Sequence, residues 1–264
     1  MSKPNWKNSI AITGAGSGFG SALAHHYASE GWNVAVTDIN EERAKQTLFE
    51  IQRFGGNSFS MLLDTTNADH WQQFQDTITR QWDGLEVLVN NAGVAATGNV
   101  EDTSMDDWAW VLDIDLMGVV RGCHQFAALM KQQKAGHIVN ISSFAGLAGL
   151  PFITAYGVAK AGVVALSEAL RAEMAPYGVG VTVACPAFVK TGLVNSLRAN
   201  GPDTRARVTR WMETSGVTAE MVAREIAQAV REKKFLLLTH AQTRTAWRLK
   251  RWLPELYYRK ITNR

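Results

Sequence analysis

Ser142-Ser-Phe-Ala-Gly-Leu-Ala-Gly-Leu-Pro-Phe-Ile-Thr-Ala-Tyr156-Gly-Val-Ala-Lys160 follows an apolar, β-branched run, His137-Ile-Val-Asn-Ile141, and leads into a segment of helical pattern. The run before it reads as a buried strand. Within the helix, positions i and i+4 share a face, with Cβ atoms roughly 5–6 Å apart, so the Tyr156 phenol and the Lys160 ammonium lie on one surface. A free tyrosine titrates near ~10, too high for a base at neutral pH, and a cation beside it favours the phenolate. A serine from the end of the preceding strand can hydrogen-bond the same substrate oxygen. These are the parts for moving a proton on or off an alcohol or carbonyl oxygen. Tyr-x-x-x-Lys is also a common pairing on structural helices, so the N-terminal half has to carry the distinction.

There, Ser9-Ile-Ala-Ile-Thr13 reads as a buried strand, and Gly14-Ala-Gly-Ser-Gly-Phe-Gly20 opens a helical pattern closed by Gly31. A glycine loop between strand and helix permits close approach of a pyrophosphate to a helix N-terminus with its free N–H groups and positive dipole end. The next strand ends at Asp38. A carboxylate there accepts hydrogen bonds from ribose hydroxyls and repels a 2′-phosphate. Ser17 and Ile39 occupy the places where a phosphate-binding variant would carry arginine or lysine. The expected cofactor is therefore NAD rather than NADP, with a solvated loop acid or helix cap as the structural alternative for Asp38.

Beyond these, strands are expected at 34–37, 58–63, 86–89, 137–142, 178–184 and 235–238. Helices are expected at 41–54, 68–82, 105–133, 156–176 and 218–232. Strand–helix alternation with apolar strands predicts an α/β, doubly wound parallel sheet covered on both faces. No linker or repeat divides the chain, so residues 1–240 read as a single Rossmann-like domain with a lid at about 190–215, followed by an extension, 241–264.

Of the 264 residues, 46% are hydrophobic and 19% charged, an ordinary globular balance. Cys123 and Cys185 lie in apolar surroundings without disulfide or metal spacing and read as reduced core residues of a cytoplasmic protein. No metal site is expected. The first residues lack the apolar core of a signal peptide, and no apolar run approaches roughly 18 residues. The net charge of +3 is uneven: 241–264 carries +6 and the remainder −3.

Five motifs together resemble the short-chain dehydrogenase/reductases over about residues 8–240. They are Thr13-Gly14-x-x-x-Gly18-Phe19-Gly20, Asn90-Asn91-Ala92-Gly93, Ser143 thirteen positions before Tyr156, Tyr156-x-x-x-Lys160, and Pro186-x-x-Val189-x-Thr191. The resemblance implies a seven-stranded doubly wound sheet, a homodimer or homotetramer, and interconversion of a secondary alcohol and a ketone. It makes Tyr156 the general acid/base, has Lys160 hold the nicotinamide ribose, and has Ser143 polarise the substrate oxygen. Gly14, Ser17, Gly18, Phe19 and Gly20 would cradle the phosphates, and Asp64 would meet the adenine. Asn91, Ala92 and Gly93 would line the adenosine side, while Pro186, Val189 and Thr191 fix the carboxamide. Ser142 should point away from Ser143, since strand side chains alternate.

Two positions depart from that family's pattern. Ala187 replaces the usual glycine, a mild change. Asp115, in Asp113-Ile-Asp115-Leu-Met-Gly118, stands where the family carries an asparagine that continues the proton relay. A charge there should raise the Lys160 pKa and oppose phenolate formation. Asp115 is expected to keep the relay role and shift alcohol oxidation to higher pH. A nucleotide-binding regulatory or scaffold protein with weak or no turnover is the alternative.

Substrate contacts are expected from Leu147, Leu150, Phe152, Val94-Ala95-Ala96, Phe188 and the lid, an apolar set suited to a hydrophobic ketone or alcohol. Arg198, Arg205, Arg207 and Arg210 either meet an anionic carrier or form a solvated face. In the tail, Leu249, Trp252, Leu253 and Leu256 have i, i+3, i+4, i+7 spacing, with Pro254 ending or kinking the helix. Docking on a partner subunit or over the site mouth is the first reading of the tail, and peripheral contact with an anionic membrane the second. Nucleic acid is not an expected partner, because the body is acidic.

Overall fold

The computed structural model describes residues 4–189, 192–199 and 202–262. In chain order the elements are β1 (Ser9–Thr13), α1 (Gly18–Ser29), β2 (Asn33–Asp38), α2 (Glu41–Ile51), β3 (Phe59–Leu62), α3 (Ala68–Trp82) and β4 (Val87–Asn90). Then come α4 (Met105–Leu112), α5 (Gly118–Gln133), β5 (His137–Ile141), α6 (Phe144–Ala148), α7 (Thr154–Met174) and β6 (Gly180–Ala184). The chain continues through α8 (Leu193–Ser196), α9 (Pro202–Glu213), α10 (Ala219–Arg231), β7 (Leu236–Leu237), α11 (Ala241–Trp252) and α12 (Pro254–Thr262).

Seven strands form one sheet in the order β3-β2-β1-β4-β5-β6-β7, and every pair is parallel. Side-chain alternation sorts each strand's residues onto two faces. From β1, Ile10 and Ile12 join the core shared with Leu23, Tyr27 and Ile226, while Ala11 faces the one built by Trp71, Phe74, Phe126 and Met130. Helices cover both faces, the doubly wound arrangement expected. The order reverses between β1 and β4, whose carboxyl ends open the crevice where such sheets bind ligands.

The long helix expected at 105–133 is instead interrupted. Between α4 and α5 the chain makes a π-helical turn over Asp113–Met117, and Gly118 N–H bonds to Asp113 O. A π-turn inserts a residue into the helical register and re-aims the side chains around it. Here it carries Asp115 inward until it is fully enclosed. The last strand is also shorter than expected, two residues rather than four. In the tail, Pro254 separates two helices, as its missing N–H and fixed φ require.

Candidate active site

Ser142 and Ser143 leave the end of β5 in opposite directions. Buried Ser142 donates to Lys160 O at 2.8 Å, tying the strand to α7. Ser143 turns towards the crevice as the cap of α6: its Oγ accepts the Ala145 N–H at 3.1 Å and stands 3.5 Å from Pro186 O. The first turn of α7 brings Tyr156 beside it, and one turn further Lys160 places Nζ 5.6 Å from the Tyr156 ring centre. Lys160 is 3% exposed and donates to Ile141 O at 3.2 Å.

Asp115 completes this cluster from the π-turn. Its Oδ1 accepts the Val94 N–H at 2.7 Å, and Oδ2 lies 3.0 Å from Lys160 Nζ as an ion pair. Gly93 lies over the pair: a Cβ there would come within 3.3 Å of both charged atoms. Burial raises the Asp115 pKa, against the pull of Lys160 and of the Val94 N–H. Burial by itself would lower Lys160, but Asp115, followed by Tyr156, reverses this and leaves the ammonium held above its ordinary value. The Tyr156 phenol is raised, first by burial and also by the Asp115 charge, while Lys160 and a hydrogen bond with Ser143 oppose the rise.

At the other end of the crevice, Gly14 (φ 63°) and Gly18 (φ 55°) turn the loop between β1 and α1 through left-handed backbone. A Cβ at Gly14 would lie 2.9 Å from Ala92 Cα, so glycine loop and Asn91–Gly93 segment pack backbone to backbone. The Asn91 side chain donates to Thr13 O at 2.8 Å and Gly14 O at 3.2 Å, and Thr13 Oγ1 accepts the N–H groups of Asn91 and Ala92. Asn91 therefore serves the loop's shape. Ser17 begins α1 without a side-chain cap, so the first-turn N–H groups of Gly18, Phe19 and Gly20 lack intrahelical acceptors. Phe19 packs on the core beneath. A close-packed glycine turn under an uncapped helix N-terminus fits a dinucleotide pyrophosphate.

Asp38 sits at the end of β2 with three bonds already made. Oδ2 accepts Gly16 N–H at 3.1 Å, and Oδ1 accepts Asn40 N–H at 2.9 Å and Arg43 Nη2 at 2.9 Å. Arg43 had no place in the sequence reading. Its one signal is the Asn40 cap, which accepts the Arg43 N–H and starts α2 so that Arg43 falls in its first turn. Asp64, past the end of β3, uses Oδ1 for the Thr66 N–H and hydroxyl.

Pro186 O accepts the Phe144 N–H at 2.8 Å, and the Val189 side chain is buried in the core. Thr191 lies outside the described residues, as does the Arg207 side chain. Phe188 packs on Trp211 with ring centres 5.2 Å apart, and Leu150 is half-buried. Arg198 and Arg205 are tied into the lid. Arg198 bonds Asp107 at 2.7 Å and covers the Trp110 ring at 3.8 Å, and its backbone bridges to Ala96. Arg205 donates to Val194 O at 2.8 Å and to Leu197 O.

Residues 8–201 match the family model described as short chain dehydrogenase. "Probable oxidoreductase EphD" of Mycobacterium tuberculosis is 32% identical over 255 residues, which cover 93% of this chain and 43% of that protein. The chain thus spans less than half the length of that relative. A cyclopentanol dehydrogenase of Comamonas is 34% identical over 82% of this chain and 90% of its own. A crystal structure of a short-chain dehydrogenase/reductase from Burkholderia phymatum in complex with NAD superposes with a TM-score of 0.87 at 32% identity, covering 97% of this chain and 96% of that one.

Proposed function

The chain belongs to the short-chain dehydrogenase family, and from that premise we propose that it is an NAD(H)-dependent oxidoreductase interconverting a secondary alcohol and a ketone. One observation carries the reading: a phenol, an ammonium and a hydroxyl converge at the carboxyl edge of the sheet, in the same crevice as the glycine turn. The cofactor would be held by Gly14, Ser17, Gly18, Phe19 and Gly20 at the phosphates and by Asp38 at the ribose. Asp64, Asn91, Ala92 and Gly93 would line the adenosine half, and Pro186, Val189 and Thr191 the nicotinamide half. When bound, the nicotinamide supplies or accepts the hydride.

The chain's own groups manage the proton. Tyr156 gives its hydroxyl proton to the carbonyl oxygen during reduction and recovers it during oxidation. Ser143, already within reach of that hydroxyl, holds the substrate oxygen and stabilises charge developing on it. Lys160 favours the phenolate electrostatically and would hold the nicotinamide ribose. Asp115 fixes Lys160 from behind and opposes phenolate formation, so oxidation should need higher pH than with a neutral residue there. Leu150 and Phe188 supply apolar walls, which suits a hydrophobic alcohol or ketone. The similarity to a cyclopentanol dehydrogenase agrees with that class.

The preference for NAD rests on the Asp38 carboxylate, which can accept ribose hydroxyls and holds Arg43 in an ion pair, away from a 2′-phosphate. The NAD complex of the Burkholderia relative supports it. We read residues 1–240 as one catalytic domain, acting as a homodimer or homotetramer in the cytoplasm. The test is NADH absorbance followed over a panel of cyclic and aliphatic ketones and secondary alcohols. The expected result is turnover that Tyr156→Phe reduces by at least about a hundredfold. Nucleotide binding without turnover over the whole panel would favour the scaffold reading, which the raised Tyr156 pKa also suits.

A further inference from the structure

The C-terminal hairpin has no part in the proton chemistry. α11 and α12 dock on this chain's own α6 by one face only. Lys250 Nζ donates to Leu147 O at 2.7 Å and Tyr257 Oη to Ala148 O at 2.8 Å. Thr243 and Tyr257 are buried, and Trp247 packs against the core beneath. Of the four apolar positions that stand out by their spacing, Leu249 is half-buried and the other three do not dock. Trp252 is 77% exposed, Leu253 55% and Leu256 43%. Around these three, Arg248, Arg251, Arg259 and Lys260 are exposed as well, and Glu255 is the one acid of the segment.

We propose that this outer face of the hairpin lies against an anionic lipid surface. The sign of the charge argues for it: 241–264 carries net +6 while the rest of the chain carries −3. Aromatic and leucine side chains interleaved with arginine and lysine are what an interfacial helix presents, the apolar groups entering the acyl boundary and the cations meeting headgroup phosphates. A second copy laid ridge to ridge would set like charge against like charge, so an anionic lipid surface suits this face better. Among the described residues no helix is long and apolar enough to cross a membrane, so the contact is peripheral. It is independent of the catalytic reading.

The experiment is co-sedimentation of the full chain with vesicles of phosphatidylcholine alone and of phosphatidylcholine mixed with phosphatidylglycerol. Binding should require the anionic lipid, weaken as salt is raised, and bring quenching of tryptophan fluorescence by brominated acyl chains. Each surface cation contributes about a fivefold factor, so combined R248Q, R251Q, R259Q and K260Q should weaken binding by more than roughly tenfold. Combined W252S, L253S and L256S should remove the quenching while leaving the melting temperature unchanged. Equal binding to both vesicles, no binding, or unchanged binding by the two variants would overturn the proposal. So would a fall in the oligomer's sedimentation coefficient in the serine variant, which would place a second copy on the ridge. Sedimentation and quenching of the unsubstituted protein decide the matter even if a variant folds poorly.

Discussion

Lys160 Nζ lies 3.0 Å from Asp115 Oδ2 with both side chains enclosed, so the cation that supports a Tyr156 phenolate also answers to a carboxylate. The pair is an ion pair beside a third ionisable group rather than a simple strut. In the proposed reaction its charge balance would set the pH at which the phenol acts.

Asp115→Asn should therefore move the ascending limb of alcohol oxidation, where Tyr156 loses its proton, to lower pH. The substitution keeps an oxygen for the Val94 N–H and removes the charge that raises Tyr156. Without that charge, burial is opposed by Lys160 and Ser143 alone, so the Tyr156 pKa should fall. The profile of kcat/KM against pH checks it, and superimposable profiles would show that Tyr156 does not feel Asp115. Asp115→Ala should be worse for folding, costing about 3–5 kcal/mol, because it leaves the buried Lys160 charge unpaired.

Asp38→Ala should raise the use of NADP relative to NAD. At present Arg43 is neutralised by Asp38 at 2.9 Å. Freed, its guanidinium could take a 2′-phosphate in a bidentate arrangement, while the ribose hydroxyls lose their acceptor. The expected change is roughly tenfold or more in the ratio of kcat/KM values, equivalent to about 1.4 kcal/mol. An unchanged ratio would mean that Asp38 does not read the ribose.

Acid should weaken the fold through His137. Burial, with a smaller contribution from Lys233, pushes its pKa down to about 4, and Nε2 contacts Thr182 Oγ1 at 2.7 Å. An unfolded histidine titrates near ~6.5. Above that pH neither state binds the proton; between about 6.5 and 4 the unfolded chain takes it and the folded chain does not, so stability falls as pH falls. The loss should reach about 2 kcal/mol near pH 5. Urea midpoints at two pH values measure it, and His137→Gln should flatten the difference.

The cysteines should be inert in the native protein. Burial pushes the thiols of both Cys123 and Cys185 up to about 12, and it is the thiolate that reacts. A chromogenic disulfide reagent near neutral pH should report almost no free thiol until denaturant is added. Rapid modification of the folded chain would contradict the burial.

Much of this protein is local and so was visible in the chain. Apolar strands alternating with helical periods dictate a parallel sheet, because each element must bury its faces against the next. A helix repeat puts Tyr156 and Lys160 on one surface whatever surrounds them, and glycine at 14 and 18 announces left-handed backbone. The tertiary structure alone decided which distant groups met. The family resemblance already set Asp115 near Lys160, but a π-turn has no compositional mark, so their direct 3.0 Å pairing followed only from how α4, α5 and α7 pack. Arg43 reached Asp38 because the chain turns at the Asn40 cap and starts α2 directly after β2. The tail's spacing suggested docking on a partner subunit or over the site mouth, yet within this chain Lys250 and Tyr257 reach carbonyls of α6 and Trp252 is left outside. Periodicity is written along the chain; complementarity between surfaces far apart in it exists only once they touch.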